Sequence, residues 1–410
     1  MSPPQAFIIA GEPSGDMHGA ALVAELARRR PALRWTGIGG SGLQEAGVRL
    51  LHHSDQLSFM GFAEVVRHLP YLRRVLGDVR RFLTRERPRL VVLVDYPAFN
   101  LRVARFAHEL GLPVLYYISP QVWAWHPERV EALARMTDCI ACVLPFEVDF
   151  YARTGAELGV EPQAVHVGHP LLERAVPRVD PTRLREELLL PPAAPLLALL
   201  PGSRRQEITR LLPAMATAAA ELGKDHPDLI PVICAAPGVA EEVYTGLLAA
   251  TPLSPVPALP PPGGYSAADG VHCVRGRTYD IVAAARGALV ASGTATLETG
   301  LLGCPMVIAY RLNRLSFWIG RRRVRVPHFG LINLVADRRL VPELLQDEVT
   351  GTSLAARLAP LLADGEERDR VLAGYAELTE RLGPSGATAR TAGLAEDLLD
   401  RAQSGQGASS

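Results

Sequence analysis

Lysine is almost missing from this chain: Lys224 stands alone among 43 basic residues. Arginine supplies the rest, which we read as compositional bias. No lysine is available in the N-terminal half for Schiff-base chemistry. No Gly-x-x-x-x-Gly-Lys occurs either, which excludes a P-loop. Asp-x-Asp is absent as well, so a metal-bridged diphosphate is not favoured and no metal or cofactor is expected. Arginines and helix N-termini would have to neutralise a leaving phosphate instead.

Net charge is also lacking. The formal balance is zero, against the basic excess of a dedicated nucleic-acid binder. Cysteine is sparse and odd in number, at five, which suits a reduced, intracellular protein. Cys139-Ile-Ala-Cys142 has redox spacing, but it lies in an apolar run and reads as a buried strand. No run reaches the roughly 18 apolar residues needed to span a bilayer. The apolar stretch Gln5–Ala10 is cut off by Gly11–Gly15, which makes it a first strand rather than a signal peptide. A cytoplasmic protein is expected.

Hydrophobic residues make up 48% of 410, enough for two cores. Short apolar runs alternate with helical patterns. Phe7–Ala10, Leu90–Val94, Pro113–Ile118 and Cys139–Leu144 are strands of a first α/β domain, residues 1–175. Leu196–Leu200, Ile230–Ala235, Ala288–Ala291 and Met306–Ala309 belong to a second, residues 176–384. The proline-rich stretch 176–195 opens that second domain. A C-terminal helix over 385–402 and a disordered tail over 403–410 follow. Thr251–Gly264 reads as a surface insertion. Continuous apolar strands alternating with helices indicate doubly wound parallel sheets. Two such domains are expected to face a shared crevice, with ligands at the strand C-termini.

Two turns in the second domain suit a nucleotide diphosphate. Pro201-Gly202-Ser203-Arg204 and Ser292-Gly293-Thr294-Ala295-Thr296 each join a strand to a helix N-terminus. Glu298 lies one helical turn further in, where it could accept from ribose hydroxyls. In the first domain, Gly11-Glu12-Pro13-Ser14-Gly15-Asp16 follows the first strand and His18 comes soon after. Its acids suit sugar hydroxyls better than a diphosphate. Its spacing is a poor dinucleotide fingerprint, against a dehydrogenase. Asp95 ends a hydrophobic strand, where partial burial would make it a better base. The plainer role is an N-cap, which Asn100 could fill instead. Trp123 and Trp125 could stack on a sugar, line an acyl groove or close the core. A helical stripe over Phe62–Leu83 carries Val65, Val66, Leu69 and Leu72, with arginines on its flanks. From periodicity alone it is an ordinary domain helix with a solvated basic face.

These segments together resemble the lipid-A-disaccharide synthase family. The pattern runs from Gly11-Glu-Pro-Ser-Gly-Asp16 and Gly37-Ile-Gly-Gly40 through Asp95-Tyr-Pro-Ala-Phe-Asn100 and Pro120-Gln-Val-Trp-Ala-Trp125. It continues with Pro145-Phe-Glu147, Val167-Gly-His-Pro-Leu171, Leu200-Pro-Gly-Ser-Arg204 and Ser292-Gly-Thr-Ala-Thr-Leu-Glu298. It ends with Leu331-Ile-Asn333 and Val341-Pro-Glu-Leu-Leu-Gln346. Ile332 stands where the family pattern has proline.

The resemblance implies a GT-B-like fold of two Rossmann-like domains. It implies an inverting transfer from UDP-2,3-diacylglucosamine to 2,3-diacylglucosamine 1-phosphate. Asp95 is then the expected base. Gly202, Ser203, Arg204, Ser292, Gly293, Thr294, Thr296, Glu298 and Asn333 are expected on the donor. Glu12, Ser14, Asp16, His18, Asn100 and Trp123 are expected on the acceptor side. Acylated substrates imply work at the inner face of the cytoplasmic membrane, with Val65, Val66, Leu69 and Leu72 as contacts. The family can exchange C-terminal segments in a homodimer, which this sequence leaves undecided. The rival readings are a UDP-N-acetylglucosamine 2-epimerase and a non-catalytic lipid- or nucleotide-binding protein.

Overall fold

A computed structural model describes residues 3–56, 69–253, 271–312 and 328–407. The chain forms two compact α/β units, which divide between Glu173 and Arg174. Residues from Leu382 onward return to the first unit.

The first unit holds a seven-stranded sheet in the order β3-β2-β1-β4-β5-β6-β7, paired in parallel throughout. Its strands are β1 (Gln5–Ala10), β2 (Arg34–Gly39), β3 (Arg49–His53), β4 (Leu90–Val94), β5 (Val114–Tyr117), β6 (Cys139–Cys142) and β7 (Ala164–His166). Every residue of β4 is buried, as its unbroken apolar run requires when helices cover both faces. Phe7, Leu93, Val103 and Tyr116 share one core with Val75, Val79 and Leu83. Each such side chain contributes roughly 1.5–3 kcal/mol when fully buried. Cys139 and Cys142 are buried free thiols on β6, in keeping with a strand rather than a redox pair.

The second unit repeats the plan with six parallel strands in the order β10-β9-β8-β11-β12-β13. These are β8 (Leu196–Leu200), β9 (Ile230–Ala235), β10 (His272–Arg275), β11 (Ala285–Ala291), β12 (Met306–Tyr310) and β13 (Glu343–Leu345). Both sheets reverse direction of growth once, between β1 and β4 and between β8 and β11. Rossmann-like sheets take their ligands at that switch point. The expected doubly wound, two-domain architecture is therefore present.

Some expectations change. The stripe expected over Phe62–Leu83 is described from Leu69 onward, as the helix Leu69–Glu86. Val65, Val66 and the side chain of Leu69 lie outside the described residues. Leu72 is partly buried and packs against the core beside Val75 and Val79. The expected tail at 403–410 overlaps a helix that runs Ala387–Gly407. That helix packs on the first unit, where Arg29 and Arg30 pair with Glu396. Most of the expected insertion at 251–264 falls outside the described residues.

Candidate active site

In the first unit the register pairs Ala10 with Val94. The Gly11 turn and Asp95 thus leave the sheet side by side. Asp95 and Tyr96 are both left-handed, with φ of 45° and 49°. Non-glycine residues hold that conformation only when their surroundings impose it. Here Asn100 donates to the carbonyls of Val94 (3.1 Å) and Asp95 (2.7 Å), and the Tyr116 hydroxyl also donates to Asp95 O (2.7 Å). The Tyr96 ring occupies the space beside Gly11: a Cβ there would sit 2.3 Å from its Cδ1. Glycine at 11 is thus a matter of close approach.

The brace aims Asp95 at an open cleft of about 390 Å³, lined also by Pro97, Pro120, Gln121, His126 and Arg129. Burial first, then the charge of Glu12, pushes the Asp95 carboxyl up to about 7. The helix that follows begins at Pro97 with Tyr96 as its cap residue, so Asp95 is not its N-cap. Behind the cleft lies Glu147, only 1% exposed. It accepts from Ser119 Oγ (2.8 Å), Trp123 Nε1 (3.2 Å) and the amides of Val143 and Leu144 (3.0 and 2.9 Å). Burial nevertheless wins over these bonds and pushes it up to about 7.

Several residues expected on the acceptor have other tasks. The Asp16 carboxylate accepts from the amides of Gly40 (2.6 Å), Gly42 (2.9 Å) and Leu43 (3.2 Å), which commits it to the turn after β2. His18 is buried in the helix Pro13–Arg29, whose start at Pro13 puts it on the second turn. Asn100 is fully buried and holds backbone. Glu12, at the cap position of the helix Pro13–Arg29, and Ser14, in its first turn, stay partly exposed. Trp123 is partly buried, edge-on to Phe146 at 5.1 Å between ring centroids.

In the second unit Leu200 pairs with Val290, so the two glycine turns also emerge side by side. Gly202 has φ of 125°, and a Cβ there would meet Glu207 at 2.4 Å. Glu207 caps the helix Arg205–Asp225. Its carboxylate accepts from the amides of Ser203 (2.9 Å) and Arg204 (3.3 Å), and Arg204 Nη1 reaches it at 3.3 Å. The Ser203 amide expected on the diphosphate is therefore occupied by Glu207.

The Gly293 turn is more open. Gly293 is exposed, and no side chain caps the helix Thr294–Leu301. An uncapped N-terminus of this kind offers amides to an anion. Ser292 Oγ donates to Phe329 O (2.7 Å), and Thr296 is fully buried with its hydroxyl on Gly293 O (2.8 Å). Thr296 is a brace for the turn rather than a ligand contact. Glu298 accepts from Tyr279 Oη at 2.8 Å, and burial raises its pKa.

Asn333 departs furthest from expectation. It is fully buried, and its amide donates to Val341 O (2.9 Å) and Glu343 Oε1 (2.7 Å). Its oxygen accepts from the amides of Leu340 (2.9 Å) and Val341 (3.0 Å). All four hydrogen-bonding positions are used, so it is a rivet and not a nucleotide contact. Sequence reasoning gave no role to Glu147 or Glu343, which it met only inside family motifs, and missed Glu207, Tyr279 and Arg129. Glu147 and Glu207 each stand at the third position of a helix, the acidic place of a capping box, which was a legible signal.

A profile of the family described as lipid-A-disaccharide synthetase matches residues 6–391. The lipid-A-disaccharide synthase of Myxococcus xanthus is 40% identical over 398 residues, 97% of this chain and 98% of its own. That of Geobacter sulfurreducens is 38% identical over 399 residues, 96% and 97% of the two chains. Among solved structures, a calicheamicin glycosyltransferase aligns with a TM-score of 0.58 at 18% identity, over 98% of this chain and 99% of that one. The UDP-GlcNAc 2-epimerase of Neisseria meningitidis, bound to UDP-GlcNAc, aligns at 0.60 and 12% identity, over 97% and 99%. At such identities the structural likeness speaks for the GT-B-like fold alone. The sequence match runs through both switch points, and on that ground the chain belongs to the lipid-A-disaccharide synthetase family.

Proposed function

We propose that this chain is an inverting glycosyltransferase that joins UDP-2,3-diacylglucosamine to 2,3-diacylglucosamine 1-phosphate. The observation that carries the chemistry is Asp95, a braced carboxyl at a cleft with its pKa near 7. A base with that value is about half ionised at neutral pH and takes a proton readily. Asp95 removes the proton of the acceptor 6-hydroxyl. The oxygen attacks the anomeric carbon of the donor from the face opposite UDP, and UDP departs with the bonding pair. The product is a β-1,6-linked disaccharide 1-phosphate.

On the donor side, the Gly293–Thr294 turn and Arg204 suit the diphosphate, and Glu298 with Tyr279 suits the ribose. The charge is carried by helix dipole and guanidinium.

Among the described residues no helix is long and apolar enough to cross a membrane. With acylated substrates, we place the chain in the cytoplasm, peripherally at the inner face of the membrane. Exposed Arg73, Arg74 and Arg81 on the helix Leu69–Glu86 support contact with an anionic surface.

Purified protein incubated with both diacyl substrates should release UDP only when the acceptor is present. Release no greater than in the acceptor-free control would overturn the reading. Acceptor-independent consumption of the UDP-sugar would point to an epimerase instead.

A further inference from the structure

The cleft beside Asp95 contains one guanidinium. Arg129 opens the helix Arg129–Met136, is partly exposed, and lines the cleft with Asp95, Gln121 and His126. Its neighbour Glu128 would be the nearest counter-ion in sequence. Glu128 instead bonds His126, Oε1 to Nδ1 at 2.7 Å. Among the described residues no carboxylate forms an ion pair with Arg129 at contact distance, and Glu128 feels it only as a weaker through-space charge. By contrast Arg28, Arg29, Arg30, Arg135 and Arg277 are each paired. A partly buried guanidinium with no carboxylate in contact gains from an anionic ligand that brings one.

We propose that Arg129 binds the phosphate of the acceptor and so decides which end of that sugar meets Asp95. This rests on the transferase reading above. In a hexosamine 1-phosphate the 6-hydroxyl and the anomeric phosphate flank the same ring oxygen. A cleft of about 390 Å³ is large enough for one such sugar. Asp95 repels the phosphate when ionised, while Arg129 attracts it through a planar fork that matches two phosphate oxygens. The two charges orient the sugar with its hydroxyl on the base. Arg129 is thus a specificity residue for a phosphorylated acceptor.

The test compares two acceptors on the full-length protein: diacylglucosamine 1-phosphate and the same sugar with a free 1-hydroxyl. UDP release gives kcat/KM for each. The parent protein should prefer the phosphorylated acceptor by about 100-fold, the size of a bidentate charge-assisted contact. Arg129→Ala should shrink that preference to less than about tenfold by raising KM for the phosphorylated acceptor, with KM for the UDP-sugar unchanged. Arg129→Lys should fall between, since it keeps the charge and loses the fork. Arg129→Gln provides a second neutral variant if the alanine protein folds poorly. An unchanged preference in an active neutral variant overturns the assignment while leaving the transferase reading intact. An equal loss on both acceptors overturns it too. No UDP release by the parent protein with either acceptor overturns both.

Discussion

Asp95 shows how one residue carries opposing demands. Its carboxyl sits near 7 in the folded protein, against an ordinary value of 3.8. Between about pH 4 and 7 the folded protein therefore holds a proton that the unfolded chain has released. Stability from this group is present at low pH and is lost as pH rises through 7. Asp95→Asn should consequently stabilise the fold more at pH 8 than at pH 5, by about 2–3 kcal/mol. The same substitution should nearly abolish turnover while UDP binding survives. In the parent protein kcat/KM should fall below about pH 7, as the base becomes protonated. Urea unfolding at the two pH values and a pH–rate profile check these outcomes. Near-normal turnover by Asp95→Asn would remove it from the mechanism.

At the level of elements, helix starts and strand ends are held by buried or partly buried polar side chains that spend hydrogen bonds on backbone. Glu147 and Glu207 do this at helix N-termini. Asn333 and Glu343 do it across β13: Glu343 also accepts from the amides of Phe329 (3.0 Å) and Gly330 (2.9 Å). Phe329 in turn accepts from Ser292, so the brace ends at the Gly293 turn. Asn333→Ala leaves two backbone amides and part of a buried carboxylate without partners, each costing about 1–3 kcal/mol. The variant should unfold at clearly lower urea without any ligand present. A ligand contact would leave that midpoint alone and weaken UDP binding only. Ligand-free unfolding curves separate the two roles.

At the scale of the whole molecule, each unit has its own sheet and core, and the C-terminal helix belongs to the first. Ala392, Ala395, Leu398 and Leu399 on that helix are buried. The ion pairs of Glu396 with Arg29 and Arg30 are partly exposed, and such pairs contribute roughly 0–1 kcal/mol. Apolar burial, not charge, should therefore fix the helix. A chain ending at Gly386 should lose several kcal/mol in the first unit. Glu396→Ala should change stability by less than about 1 kcal/mol. Hydrogen exchange resolved along the sequence distinguishes them: truncation should expose β1 and β4 while β8 and β11 stay protected.

The sequence by itself determined the strands of the two sheet centres, the glycine turns and the family. Leu90–Val94 and Leu196–Leu200 were legible to the residue, because central parallel strands are apolar on both faces. The short strands Arg49–His53, Ala164–His166 and Glu343–Leu345 were not, since edge strands need no such run. The turn motifs were legible because glycine is required where the backbone is left-handed or closely approached. Only the tertiary structure decided which polar groups are free. Asp16, Thr296 and Asn333 have the chemistry of ligand contacts, yet their hydrogen bonds are spent inside the fold, and the Asn100 amide nitrogen is spent on two backbone carbonyls. Periodicity reports which face of an element is apolar, whereas a donor's partner depends on segments far away in sequence.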